Sequence, residues 1–368
     1  MERRTSCIGI ASFSYSSKKE EIILRKLLNT LYVTAADSYL ARDGENVLVL
    51  MGDKEQREKF RVPVHNLEQI VTFGYTGASP ALFHLCAERG VGLTFLNEHG
   101  AFQARIQGKV NGNVLLRRKQ YRWADGEEAV EVAGRFIQAK IINSRSVLRR
   151  AMRDHASEIN VLKVTEAAQA LKRLSLSVLK MPTGNTIRGA EGKAAKIYFG
   201  AMNELILADR EVFQMKTRNR RPPLDPLNAL LSFLYTLLRI DVHSALETVG
   251  LDPAVGFLHR DRPGRASLAL DVMEELRPYL ADRLVLSLIN RRQLSAKSFI
   301  YKENGAVLLK DEARKEVLAA WQKRKQEEIT HPFLGEKIAL GLLPYAQALL
   351  LARYIRGDLD SYPPFLWK

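Results

Sequence analysis

The chain has 368 residues, enough for about two domains of the usual roughly 100–200 residues, and its 46% hydrophobic content excludes a disordered polyelectrolyte. Lys and Arg outnumber Asp and Glu by 56 to 41, giving a formal charge of +15 and a pI near 9.7, which favours a polyanionic partner, nucleic acid ahead of an anionic membrane surface. Cys7 and Cys86 stand far apart with no CxxC or Cys/His spacing, which argues against a disulfide framework or zinc module and suits a reducing cytoplasm.

Residues 1–24 read as an N-terminal extension. Basic residues precede a short apolar run there, but serines interrupt it and no cleavage site follows, so a signal peptide is not expected. Residues 25–110 predict a β-rich domain, with strands at Leu31–Val33, Asn46–Met51, Gln69–Phe73, Leu93–Asn97 and Ala104–Gln107 and a short helix at Ala81–Glu88. Asp43-Gly44, Gly74, Gly77 and Gly100 punctuate them, and the alternation of branched residues points to a small β-sandwich rather than a parallel α/β sheet. Over residues 111–368 a 3.6-residue period predicts an all-α domain. Its helices are Leu115–Ala124, Glu128–Ala151, His155–Ala170, Ala190–Ala208, Pro226–Leu238, one from Leu268, Asp282–Ile289, Lys310–Lys325 and Ile338–Gly357. The class is therefore α+β. The proline- and arginine-rich stretch Lys216–Pro226 reads as a linker, and Pro344, Tyr345, Gln347 and Arg353 make the apolar run Ile338–Ile355 a buried helix rather than a membrane span.

The chemistry concentrates in Gly256–Pro278, GFLHRDRPGRASLALDVMEELRP. Pro263-Gly264 marks a turn, Ser267 is a candidate N-cap, and Leu268, Val272, Leu276 and Tyr279 recur at helical spacing while Asp271 and Glu274 share a neighbouring face. His259 stands in the loop before them. Two tempting patterns fail: His259-Arg260-Asp261 has Ala266 where a kinase loop needs Asn, and Gly184–Gly189 has Walker-like spacing but Ala190 in place of Lys. In TIRGAEGKAAKIYFGAMNELI, Ala194, Ala195, Tyr198, Met202 and Leu205 form an apolar stripe, and Glu191 lies one turn before its start on the same inward face. Such a carboxylate must be protonated, paired with a base such as Arg188 or Lys193, or bound to a metal.

Taken singly, each residue has a plainer reading: His259 as a loop histidine, Glu191 as an acid near a helix N-terminus, Asp271 and Glu274 as a polar helix face. Together they suit a metal site of oxygens and one imidazole. Basic residues cluster at Arg117, Arg118, Lys119 and Arg122 around Tyr121 and Trp123, and again at Lys140, Arg145, Arg149, Arg150 and Arg153, both read most simply as solvated helix faces. Arg260, Arg262 and Arg265 flank the proposed acid site and, with Arg188, Lys193, Arg218, Arg220 and Arg221, are the candidate nucleic-acid contacts.

The helix start at Glu191, the block RPPLDPLNALLSFLYTLL (Arg221–Leu238), the Gly256–Pro278 block and the earlier LLNTLYV…VPVHNLEQIVTFGYTGASP are similar, in order and spacing, to the CRISPR-associated integrase and endonuclease Cas1. The resemblance runs from about Leu27 to Trp367 and is nearest to a type I system such as subtype I-C. It implies an N-terminal β-domain used for dimerisation and a helical catalytic domain. It implies a metal site of Glu191, His259 and Glu274, with Asp271 as the neighbouring catalytic acid, and Mn2+ or Mg2+ as cofactor. The loop from His259 to Asp271 is two residues longer than in shorter members of the family, so whether Asp271 or Glu274 ligates stays open, with Glu274 favoured. The implied activity is insertion of short double-stranded DNA fragments into a CRISPR array as spacers, through attack of a 3′-hydroxyl on a repeat phosphodiester. The implied assembly is a cytoplasmic homodimer with Cas2, with Cas4 as a further candidate partner and no membrane. Two other classes share parts of this pattern: a non-catalytic basic DNA-binding or architectural protein, and a repair-type nuclease of branched DNA.

Overall fold

The computed structural model describes residues 29–35, 38–52, 58–98, 100–106, 108 and 113–367; the extension at 1–24 lies outside the described residues. The first part contains β1 (Asn29–Val33), β2 (Ser38–Asp43), β3 (Asn46–Met51), β4 (Glu58–Pro63), β5 (Leu67–Phe73), β6 (Gly77–Ala78), α1 (Pro80–Arg89), β7 (Gly92–Leu96) and β8 (Phe102–Ile106). They form two four-stranded sheets, ordered β1-β5-β7-β8 and β4-β3-β2-β6. Val33, Leu40, Val47, Ile70, Leu82, Leu85 and Leu93, drawn from both sheets and α1, close one core between them. Strand-rich and helical parts follow each other as the sequence predicts, but parallel pairing is not absent: β1, β5 and β7 run parallel and β8 alone in that sheet is antiparallel. The β2–β4 excursion and α1 are the crossovers that parallel neighbours require.

The helical part comprises α2 (Val114–Asp125), α3 (Glu128–Asp154), α4 (Val161–Ser177), α5 (Gly184–Met202), α6 (Arg210–Phe213), α7 (Pro226–Thr248), α8 (Ser267–Arg277), α9 (Arg283–Asn290), α10 (Asp311–Gln326) and α11 (Leu343–Arg356). It also carries two hairpins, β9 (Phe299–Tyr301) with β10 (Val307–Leu309) and β11 (Glu328–Thr330) with β12 (Lys337–Ala339), whose three-residue strands are too short to show a period of two. α4 starts at Val161 because the Asn160 side chain caps it, not at His155. α5 starts at Gly184, not Ala190, where Thr183 and Thr186 close a capping box, so Glu191 sits two turns inside the helix and not at its N-terminus. Ser267 is the first helical residue of α8, not its cap, and its hydroxyl donates to the Arg260 carbonyl at 3.3 Å.

Among the described residues one helix, α7, is long and apolar enough to cross a membrane, and two-thirds of its apolar window is buried inside the protein. The run Ile338–Ile355 instead divides into β12, a 3-10 turn and α11. The stretch Lys216–Pro226 is irregular but packed rather than a loose linker. Arg218 donates to Asn228 Oδ1 at 2.6 Å and lies over the Tyr235 ring at 5.5 Å, while the Pro223 carbonyl accepts from Val307 N at 2.9 Å.

Candidate active site

α3 packs on α4, α5 and α8, and α7 packs on α8 and α11, so α8 runs through the middle of the helical part. Every residue of α8 except Leu270 is buried, which places both of its proposed acids away from bulk water. Asp271 is fully buried and aims back at the loop that precedes the helix. Its Oδ2 accepts from the amides of Phe257 at 2.6 Å and Leu258 at 2.9 Å; its Oδ1 accepts from His259 N at 3.1 Å and lies 2.6 Å from His259 Nδ1. An imidazole whose Nδ1–H donates to a carboxylate presents the lone pair of Nε2, the tautomer a ligating histidine needs.

The loop can press this closely because residue 256 is glycine: a Cβ there would stand 2.6 Å from Asp271 Oδ2 and 2.8 Å from the carbonyl carbon of Ser267. Its other side is pinned from α2 and α5. Gln120, fully buried, donates to the carbonyls of Asp252 at 2.8 Å and Val255 at 2.9 Å and accepts from Asp252 N. Arg188 donates to the Leu258 carbonyl at 2.7 Å.

Glu274 points the other way along α8. One oxygen accepts from Arg277, whose guanidinium lies 4.8 Å from the centre of the Tyr235 ring. The other, Oε2, is 2.7 Å from Lys140 Nζ, a buried ion pair. Burial alone would raise the Glu274 carboxyl, but Arg277, Lys140 and His259 pull it down to about 2, so it is an anion at neutral pH. Lys140, from α3, also bonds Glu191 Oε1. The inward-facing Glu191 is therefore paired with a base, but with Lys140 and not with Arg188 or Lys193. α3 carries Phe136, Ile137, Ile141 and Ser144 on its buried side, and Lys140 falls on that face, not on a solvated one. The sequence held this signal, a lysine set in the apolar stripe, and the run of basic neighbours hid it.

Glu191 and Glu274 thus meet through one ammonium, and His259 acts on Glu274 closely enough to lower its pKa. Among the described residues no three His, Cys, Asp or Glu side chains form a closed ligand group; the Lys140 ammonium stands between the two glutamates. The donor chemistry nevertheless fits a hard divalent cation, since Glu274 is a buried anion whose Oε2 meets the Lys140 ammonium and Glu191 is a second carboxylate on that same ammonium.

The basic residues divide sharply. Arg260, Arg262 and Lys193 are exposed and Arg265 is half-buried. Arg260 and Arg265 make only long bonds, to Asn185 Oδ1 at 3.2 Å and to the Arg260 carbonyl at 3.3 Å. Arg220 and Arg221 are exposed on the packed stretch, whereas Arg188 and Arg218 spend their guanidinium groups on the protein itself. Beside the Arg260–Arg265 tip a cavity of about 600 Å³ opens between β8 and α7, lined by Arg105, Arg239, Arg262 and Arg265.

A family model described as CRISPR associated protein Cas1 matches residues 31–323. A protein named CRISPR-associated endonuclease Cas1 1 from Chlorobaculum tepidum is 53% identical over 346 residues, covering 94% of this chain and all of that one. A casposase bound to its integration product has a similar fold, with a TM-score of 0.77 at 22% identity over 91% of this chain and 92% of that chain. So does a chain of a Cas6-RT-Cas1–Cas2 complex, with a TM-score of 0.77 at 22% identity over 94% of this chain and 37% of that one.

Proposed function

Because the chain belongs to the CRISPR-associated Cas1 family, we propose that its nuclease and integrase chemistry is carried by Glu191, His259 and Glu274, holding Mn2+ or Mg2+ beside a DNA phosphate. The enzyme serves CRISPR adaptation: a fragment's 3′-hydroxyl attacks a repeat phosphodiester and the fragment becomes a spacer, while water in place of the hydroxyl gives cleavage. A bound divalent ion supplies Lewis-acid polarisation of the phosphoryl oxygen and a lower pKa for the attacking group. The protein's own part is orientation and charge. Asp271 fixes the ring and tautomer of His259 and stands behind it, so Glu274 is the ligating acid of α8 and Asp271 the positioning one. Arg260, Arg262 and Arg265, on the tip of the same loop, grip phosphate oxygens and hold the two DNA ends in line.

The observation that carries this reading is Glu274, a buried carboxylate held ionised and joined through one ammonium to a second carboxylate, Glu191. It also speaks against a purely architectural protein, in which these acids would be surface groups. The β-rich residues 25–110 are the dimerisation domain and residues 111–368 the catalytic one, the dimer assembling with Cas2 and, in a subtype I-C setting, with Cas4 in the cytoplasm. The test is integration of a labelled duplex into a repeat-bearing plasmid with Mn2+, with and without Cas2. Glu191→Gln and Glu274→Gln should each abolish strand transfer and leave duplex binding intact. Full activity in either variant overturns the assignment, and cleavage of branched DNA with no response to Cas2 favours the repair-nuclease reading.

A further inference from the structure

The reaction as described uses two glutamates and an imidazole, yet the group in closest contact with both glutamates is a lysine. Lys140 is 7% exposed, its Nζ bonds Glu191 Oε1 and lies 2.7 Å from Glu274 Oε2, and these acids come from α5 and α8 while it comes from α3. Arg277 takes the remaining Glu274 oxygen. Two carboxylates thus face one ammonium and one guanidinium, and their formal charges cancel.

We infer that Lys140 is a built-in counter-cation that competes with the divalent ion for Glu191 and Glu274 and so sets how weakly the ion is held. This rests on the ligand assignment above. An ion bound through Oε2 of Glu274 must share that oxygen with an ammonium already at contact distance, and like charges so close in a buried site repel strongly. The lysine therefore weakens ion binding while bridging the two carboxylates. It is a positioning residue: it acts on the reaction through the two ligands it contacts. A structural ion pair with no bearing on the ion would leave metal affinity unmoved when the charge is removed.

The full-length protein is titrated with Mn2+ alone, free ion being read by electron paramagnetic resonance and folding by circular dichroism. Lys140→Met should bind Mn2+ about tenfold more tightly than the wild type, and Mn2+ should raise its Tm by more. Lys140→Arg, which keeps the charge, should stay near the wild-type affinity. Glu191→Gln and Glu274→Gln should bind Mn2+ more weakly; if both bind it as the wild type does, the ligand assignment fails and the inference falls with it. If those two lose Mn2+ but folded Lys140→Met binds it no more tightly than the wild type, the inference alone is overturned. Lys140→Gln serves where the Met variant does not fold. If both neutral variants fold with Mn2+ and not without it, the inference stands; if neither folds under any condition, Lys140 is a structural ion pair and the inference is wrong.

Discussion

Asp271 holds His259 twice, through the ring at Nδ1 and through the backbone amide, with the same Oδ1. Replacing Asp271 by Asn removes the charge that fixes the tautomer and sets an amide group against three backbone N–H donors. Mn2+ affinity should fall about 10- to 100-fold, as for other groups that orient a metal-bound histidine, and integration should fall with it. Unfolding in urea should show a loss of about 1–3 kcal/mol from the buried donors left unpaired. An Asn variant with unchanged Mn2+ affinity would mean that the ring needs no such support.

The same contact predicts intolerance at Gly256. Gly256→Ala places a methyl group 2.6 Å from Asp271 Oδ2. Neither the backbone of Ser267 nor the caged carboxylate can yield easily, so the variant should lose about 1–3 kcal/mol in urea unfolding. Strand transfer should drop while duplex affinity holds, because the exposed tip of the loop is untouched.

Glu275, next to the proposed ligand, faces α11 and the C-terminal segment. It accepts from Gln347 at 3.1 Å, from Phe365 N at 2.9 Å and from the Tyr362 hydroxyl, yet burial outweighs these bonds and pushes its carboxyl up to about 7. The folded protein then keeps a proton that the unfolded chain, with an ordinary value of 4.5, has released. This contribution to stability is complete below about pH 4.5 and is lost as pH rises through about 7, a change of about 3 kcal/mol. Glu275→Gln cannot ionise and lacks that slope. Urea midpoints at pH 5 and pH 7.5 should show the variant gaining on the wild type at the higher pH; a constant difference would refute the protonated state.

The arginines should separate by salt. Arg262→Ala and Arg265→Ala should each lower the slope of log affinity against log salt by about 0.9, the value of one released counterion. Arg218→Ala should leave the slope alone and cost about 1–3 kcal/mol of stability, since its bonds go to Asn228 and Ser232. Equal slopes for Arg218 and Arg262 variants would contradict the division of the basic set.

The α5 stripe and the Gly256–Pro278 block were legible because helical spacing and chemistry coincide there: Ala194, Tyr198 and Met202 are buried as the stripe requires, and so are Leu268, Val272 and Leu276. Pairing was not legible. β1 and β5 pair across thirty-nine residues, Thr30 opposite Gln69, and no local pattern records which strand lies beside which. The start of α5 was hidden by Gly184 and Gly189, poor helix formers that Thr183 compensates with its cap. Lys140 was misread because charge is usually a surface property, and only the residues on either side in the turn, Phe136, Ile137 and Ser144, reveal which way it looks.

The loop between Gly256 and Ser267 is clamped at its root and free at its tip. Gln120, Arg188 and Asp271 grip residues 252–259, while Arg260–Gly264 lies exposed. If Arg260, Arg262 and Arg265 grip DNA as proposed, insertions and deletions in that outer arc would change which DNA shapes the arm can reach without displacing the imidazole at its base. Diversification of target preference and conservation of turnover can proceed side by side on one short piece of backbone.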